Sequence, residues 1–365
     1  MANSMCESRV KLGFIEDDTD LRLLSSHFFP SKVGGKPAWL SLDPIPDFDD
    51  LRCQKCNSTT VFLMQVYAPL QMREDTFHRT IFIFMCPNTS CCTPEDSSNF
   101  RIFRSQLPLV NNFYSDSPPS EELTPNEDIT IFPHAGLFQS LCFVCGIRGT
   151  KKCSQCKNTH YCSKEHQVLD WKSGHKQTCL QEIKNDKKQS SRLLFKEYEL
   201  VTEDEEYSEG DSNNSKSDEE RLLEYENLIR SPQLKELDGK YQAEDLEKSA
   251  TAETEDDKLF LKFKRRVDTE PSQVLRYEKG GEPLWVSAHH KPSPEDIPFC
   301  SCGSQRIFEF QVMPQLLNYL SVDKLDSSVD WGTLCVYTCK ESCSTGNSYK
   351  EEFIWKQDFH NSRVS

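Results

Sequence analysis

Three short runs stand out in the hydrophobic pattern: VFLMQVYA at 61–68, TIFIFMC at 80–86 and RIFEFQV at 306–312. All three are rich in β-branched and aromatic residues and bounded by polar or turn-forming residues, so each predicts a β-strand. RIFEFQV alternates in part, which predicts a sheet with one wetter face. Helical spacing appears elsewhere. EDDKLFLKFKRRV at 255–267 sets Leu259, Phe260, Phe263 and Val267 near one face and predicts a core-facing helix. QLLNYL after Pro314 predicts a short helix, and PSQVLRY at 271–277 predicts another with proline at its start. No apolar run approaches the roughly 18 residues that a membrane-spanning helix needs. The opening residues MANSMCESRVKLGF lack the apolar stretch of a secretory signal.

The pattern repeats. VGGKPAWLS at 33–41 is matched by KGGEPLWVS at 279–287. Cys53-x2-Cys56 follows Trp39, and Cys300-x-Cys302 follows Trp285. Gln65-Val66 and Gln311-Val312 come nine positions after the second cysteine of each pair, and Pro69 and Pro314 follow. TIFIFMC ends at Cys86 and TLCVYTC ends at Cys339, with a further cysteine beyond: Cys91 or Cys92 in one half, Cys343 in the other. Twelve positions past Cys91 stands Phe103-Arg104, and twelve past Cys343 stands Trp355-Lys356. Seven features in register predict a duplicated, mostly-β unit whose copies superimpose and face one another. Gly34-Gly35 and Gly280-Gly281 fit tight turns that need positive φ, anchored by Trp39 and Trp285.

Charge divides the chain further. Its 365 residues carry a net charge of −15. Between positions 197 and 257 there are 22 acidic and 6 basic residues, so nearly all of the excess lies there. This composition predicts a solvated linker, with RLLEYENLI at 221–229 as a short helix inside it. A second linker, SDSPPSEELTPNED, spans 115–128. The organisation expected is an N-terminal copy at 1–114, a linker at 115–136, a compact Cys/His-rich block at 137–185, an acidic, largely disordered linker at 186–254 and a C-terminal copy at 255–365. The fold class is α+β, mostly β.

Seventeen cysteines without an export signal point to metal rather than disulfides. Between the linkers the spacing is Cys142-x2-Cys145, Cys153-x2-Cys156, Cys162-x3-His166 and His175-x3-Cys179. Eight ligands of this kind make two tetrahedral zinc sites, and metal binding would supply much of the folding energy of so short a segment. Each flanking unit adds a ribbon-like set: Cys53, Cys56, Cys86 and Cys91, with Cys92 competing for the last place, and Cys300, Cys302, Cys339 and Cys343. These give up to one further Zn2+ in each copy. Cys6 and Cys335 are left over, Cys335 as a core residue.

The central block resembles the MYND zinc finger through Tyr161-Cys162-Ser163, Gln167 and Asp170-Trp171. The resemblance implies interleaved sites, with Cys142, Cys145, Cys162 and His166 on one zinc and Cys153, Cys156, His175 and Cys179 on the other. His166 stands where most of that family has cysteine. It also implies a protein-interaction module that grips proline-containing peptides. FPSKVGGKPAW, LMQVYAPL, FEFQVMPQLLNYL, DWGTLCVYTC and EEFIWKQD, with the finger, make the whole chain similar to the programmed cell death protein 2 family. That resemblance implies a dedicated chaperone in ribosome biogenesis, which captures newly made ribosomal protein two of the small subunit and shuttles between cytoplasm and nucleus. An acidic binder would steer such a basic client. The alternative expectation is a nuclear adaptor whose finger recruits transcription regulators. No P-loop, dinucleotide fingerprint or methyltransferase motif is present, so catalysis is not expected. Neither membrane association nor direct nucleic-acid binding is expected.

Overall fold

The computed structural model describes residues 10–70, 73–124, 128–179, 193–206, 255–320, 329–344 and 348–359. Its strands are Lys11–Glu16 (β1), Lys32–Val33 (β2), Val61–Tyr67 (β3), His78–Met85 (β4), Phe100–Leu107 (β5), Lys151–Lys152 (β6), His160–Tyr161 (β7), Tyr198–Asp204 (β8), Leu275–Tyr277 (β9), Arg306–Val312 (β10), Thr333–Cys339 (β11), Tyr349–Glu351 (β12) and Phe353–Gln357 (β13). Three helices matter to the argument: Lys164–Asp170 (α1), Glu255–Thr269 (α2) and Leu316–Leu320 (α3).

Eleven strands form one antiparallel sheet in the order β12-β5-β4-β3-β2-β8-β1-β9-β10-β11-β13. The two ends of that order, β12 and β13, are a single stretch of chain interrupted only at Glu352. There the Glu352 backbone N–H donates to the Ile102 carbonyl of β5 at 3.0 Å. The sheet therefore closes on itself, which leaves no long exposed edge. Inside it, Val33, Met64, Ile81, Ile83 and Ile102 from one half share a buried core with Val274, Phe310, Val312, Trp331, Val336 and Ile354 from the other. Every residue of β4 and β11 is buried, and β3 is buried but for its last residue, because both faces of these strands are covered.

The recurring sequence features occupy the same places in both halves. Strands β2-β3-β4-β5 and β9-β10-β11-β13 are meanders of the same order. Phe62 lies opposite Phe84 just as Phe308 lies opposite Tyr337, and the pairing shifts at Leu63 and again at Glu309. Gln65 accepts from the Ala38 N–H at 2.9 Å, and Gln311 accepts from the Leu284 N–H at 2.6 Å. The turn glycines Gly34 and Gly35 both have φ +67°, and Gly280 has φ +81°. A Cβ on Gly34 would lie 2.0 Å from the Lys196 carbonyl oxygen, so only glycine allows that approach.

Several expectations are revised. The 271–277 segment is not a helix: Leu275–Tyr277 is β9, because Val274 and Leu275 are fully buried and its backbone pairs with both β1 and β10. Within α2, Phe263 and Val267 are buried as expected, but Phe260 is 42% exposed and meets Phe359 edge-on. The wetter face expected of RIFEFQV is absent at Glu309, which is wholly buried and ion-paired to Arg79 of the opposite half. The stretch expected as an acidic, largely disordered linker at 186–254 contains an ordered part, residues 193–206. Tyr198–Asp204 is β8, between β2 and β1. Glu197 pairs with the buried Lys32, and Glu205 is paired with both Arg266 and Arg276. The rest of that linker, including the helix expected at 221–229, lies outside the described residues. So does Cys6.

Candidate metal centres

Within the finger, the Ser163 hydroxyl caps α1 by accepting from the His166 N–H at 3.2 Å. The cap fixes the first turn, which carries His166 back over Cys162. His166 Nδ1 then lies 3.1 Å from Cys162 Sγ and 3.6 Å from Cys142 Sγ, while Cys145 Sγ is 3.6 Å from Cys162 Sγ. The second set is built around the kink at Gly174. Cys153 and Cys179 approach to 3.6 Å, and Cys156 Sγ lies 3.6 Å from His175 Nε2. The pairing is the interleaved one, with the His at position 166 serving where cysteine is usual. Tyr161 donates to Asp170 at 2.7 Å, and Asp170 lies 3.9 Å from His175 Nδ1. Tyr161 and Asp170 thus form a hydrogen-bonded pair beside the His175 ring, with the Asp170 carboxylate facing Nδ1.

Each flanking unit gathers its own four sulfurs. Cys56 and Cys86 approach to 3.6 Å, within the set Cys53, Cys56, Cys86 and Cys91. Cys300 and Cys343, and Cys302 and Cys339, approach to 3.7 Å. In all four sets the ligand atoms lie within 4.8 Å of one another. A tetrahedron with Zn–S bonds of about 2.3 Å has S···S edges of about 3.8 Å. The observed separations fit those edges and are far too long for disulfides. Cys92 is outside its set: its sulfur accepts from the Asn99 side-chain amide at 3.3 Å. Cys335 is a fully buried core residue of β11, as expected.

The electrostatics of these clusters call for a cation. Burial, and then the adjacent Cys142 and Cys162 sulfurs, pushes the Cys145 thiol well above its ordinary value. Burial and the Cys302 and Cys300 sulfurs push the Cys343 thiol up to about 12. The three thiols of each finger set and the four of each flanking set can all ionise in such a space only when a positive ion neutralises them. The C-terminal set has an outer shell, which its sequence spacing did not reveal. The Cys339 N–H donates to Glu352 at 3.1 Å, and Arg104 from the other half donates to the Cys343 carbonyl at 3.2 Å.

The finger is not a free appendage. Trp39 Nε1 donates to the Gly146 carbonyl at 2.9 Å, and Lys36 Nζ donates to the Phe143 carbonyl at 2.6 Å. Val144, Ile147 and Tyr161 join Trp39, Phe62, Phe82, Phe84 and Phe103 in one buried cluster. Zinc in the finger is thereby tied to the packing of the N-terminal half.

Comparison with known proteins agrees with this layout. Residues 9–121 match the N-terminal domain of programmed cell death protein 2, residues 257–358 match its C-terminal domain, and residues 142–179 match the MYND finger, which implies zinc. Programmed cell death protein 2 of Bos taurus is 46% identical over 95% of this chain and 96% of its own. That of Mus musculus is 46% identical over 96% of each. A Schizosaccharomyces pombe protein named for 20S rRNA accumulation is 24% identical, covering 86% of this chain and 87% of its own. No solved structure matches. With both flanking domains, the inserted finger and near full-length identity in agreement, the chain belongs to the programmed cell death protein 2 family.

Proposed function

We propose that the protein is a non-enzymatic binding factor of ribosome biogenesis that captures newly made ribosomal protein two of the small subunit. The observation that carries this reading is kinship along most of the chain with a protein named for 20S rRNA accumulation. The net charge of −15 supports it, because an acidic surface attracts a basic client and competes with RNA for it. The closed sheet gives a rigid platform, and zinc serves structure: four ions, two in the finger and one in each half. The capture and delivery of such a client place the protein in cytoplasm and nucleus.

A second reading has its own support. Phe143 and Val168 of the finger are 46% and 41% exposed, which suits a small apolar docking site for proline-containing peptides on an adaptor. Mixing the purified, zinc-loaded chain with the purified ribosomal protein tests the first reading. A one-to-one complex on size exclusion, and protection of the client from precipitation by RNA, are expected. A client that elutes free at low and high salt overturns it.

A further inference from the structure

The two halves have the same strand order, and β3-β4-β5 and β10-β11-β13 share their pairing register, yet their outer faces differ in one respect. On the N-terminal half, Trp39, Phe62, Phe82, Phe84 and Phe103 are each at most 5% exposed, and the finger covers them. Their register counterparts on the C-terminal half are Trp285, Phe308, Cys335, Tyr337 and Trp355. These form a second outer cluster with Phe353 and Ile297, but no finger lies over it. Trp285, Phe353 and Trp355 are only half-buried, and Phe299, two residues beyond Ile297, is 64% exposed.

The polar groups around this face carry more information than its apolar area. Trp39 gives its indole N–H to a backbone carbonyl of the finger. Trp285, at the matching place, has no such acceptor among the described residues. Lys36 meets the finger through the Phe143 carbonyl and its ring. Position 36 corresponds to Glu282, an exposed carboxylate with no ion pair among the described residues. The C-terminal half therefore presents an aromatic seat with a free indole donor and a reversed charge at its rim. The complement of that seat is an extended or turn-forming protein segment that offers a backbone carbonyl to Trp285 and a lysine or arginine to Glu282.

We propose that this face, centred on Trp285, Phe353 and Trp355 with Glu282 at its rim, holds a basic segment of the captured ribosomal protein, in the position that the finger takes on the N-terminal half. The inference rests on the client reading above and adds where and how the client is held. Aromatic anchors that lose water supply the affinity, and the rim charge selects a basic occupant.

The test uses the full zinc-loaded chain and purified ribosomal protein two of the small subunit, with dissociation constants measured at two salt concentrations. Glu282→Lys reverses one exposed charge, and Trp285→Phe keeps a ring but removes the indole donor. Each is first checked for unchanged zinc content and urea midpoint. Asp116→Lys, a remote exposed site, makes the same charge change as a control. At low salt, Glu282→Lys is expected to weaken binding at least tenfold and Trp285→Phe roughly fivefold, with Asp116→Lys within twofold of the parent. Binding by the parent that both variants retain within twofold overturns the assignment of this face and leaves the client reading standing. No binding by the parent overturns the client reading itself. Self-association of the free chain that Glu282→Lys abolishes would give the face to a second copy, and so overturn the proposal.

Discussion

The ion pair between Arg79 on β4 and Glu309 on β10 joins the two halves inside the closed sheet, and both side chains are 0% exposed. Arg79 holds the Glu309 carboxylate through both of its terminal nitrogens, the Nη2 contact being 2.7 Å. Tyr277 donates to Glu309 at 2.9 Å and Lys279 donates to it at 3.1 Å. Burial raises the cost of charge on Glu309, but Arg79 and Lys279 outweigh it and hold its carboxyl well below the usual range. Replacing Glu309 by alanine removes one partner and leaves a buried guanidinium with the Ala68 carbonyl and the Thr338 and Tyr277 hydroxyls but no paired carboxylate. Breaking a buried pair from one side costs about 3–5 kcal/mol. Replacing both with leucine removes the stranded guanidinium as well but still takes the carboxylate from Lys279 and Tyr277, so a cost of about 1–3 kcal/mol is expected. A cycle of Glu309→Leu, Arg79→Leu and the double variant, with each single costing about 3–5 kcal/mol, then has a coupling energy of at least about 3 kcal/mol. With a urea m-value of about 3 kcal/mol/M, a loss of 4 kcal/mol moves the midpoint down by about 1.3 M. The pH dependence has a fixed sign. A depressed carboxyl pKa stabilises the fold above the ordinary value near 4.3, and that stability is lost as pH falls toward the folded value. The deficit of Glu309→Ala is therefore constant from about pH 6 to 8 and shrinks below about pH 4. Urea unfolding of the four proteins of the cycle is the assay. A single-mutant cost under about 1 kcal/mol, or a double mutant no more stable than Glu309→Leu, refutes the reasoning.

Metal analysis of the full chain is expected to give four zinc ions. Cys145→Ala is expected to remove at least one and unfold the finger, read as new exposure of Trp39 to a fluorescence quencher, since losing a ligand removes folding energy. Cys91→Ser is expected to cost one zinc and Cys92→Ser none, because Cys92 stands outside the sulfur set; equal zinc loss in both would reverse that assignment. Because the interior core draws on both halves, residues 1–121 expressed alone are expected to show no cooperative unfolding, and a sharp thermal transition would disprove a shared core. Deleting residues 207–253 keeps β8 and the paired Glu205. It is expected to leave a zinc-loaded protein whose association with the proposed ribosomal client slows at low salt while its affinity at high salt is unchanged, since exposed charges steer encounters and are screened beyond about 8 Å.

Local chemistry was legible in the sequence wherever it depends on spacing. Zinc imposes ligand type and distance, so the eight ligands from Cys142 to Cys179 could be picked out by counting; their division into two interleaved sets came from the resemblance to the MYND finger, and the structure brings the same eight residues together in the same two groups. The strands at 61–68, 80–86 and 306–312 were legible because β-branched and aromatic runs need a covered sheet. The paired glutamines and Gly-Gly-x-Pro-x-Trp turns also marked matching positions before any coordinates. Tertiary structure decided what depends on neighbours distant in sequence. Leu275–Tyr277 is a strand because β1 and β10 lie on either side of it, and no property of PSQVLRY records that. Glu309 looks like a solvent residue until Arg79, from the other half, neutralises it. Glu197 and Glu205 read as part of an acidic linker until Lys32, Arg266 and Arg276 claim them. Composition predicts solvation for a charge whose partner is unknown. Only the folded chain, by bringing that partner to within about 3 Å, turns the same charge into a buried contact.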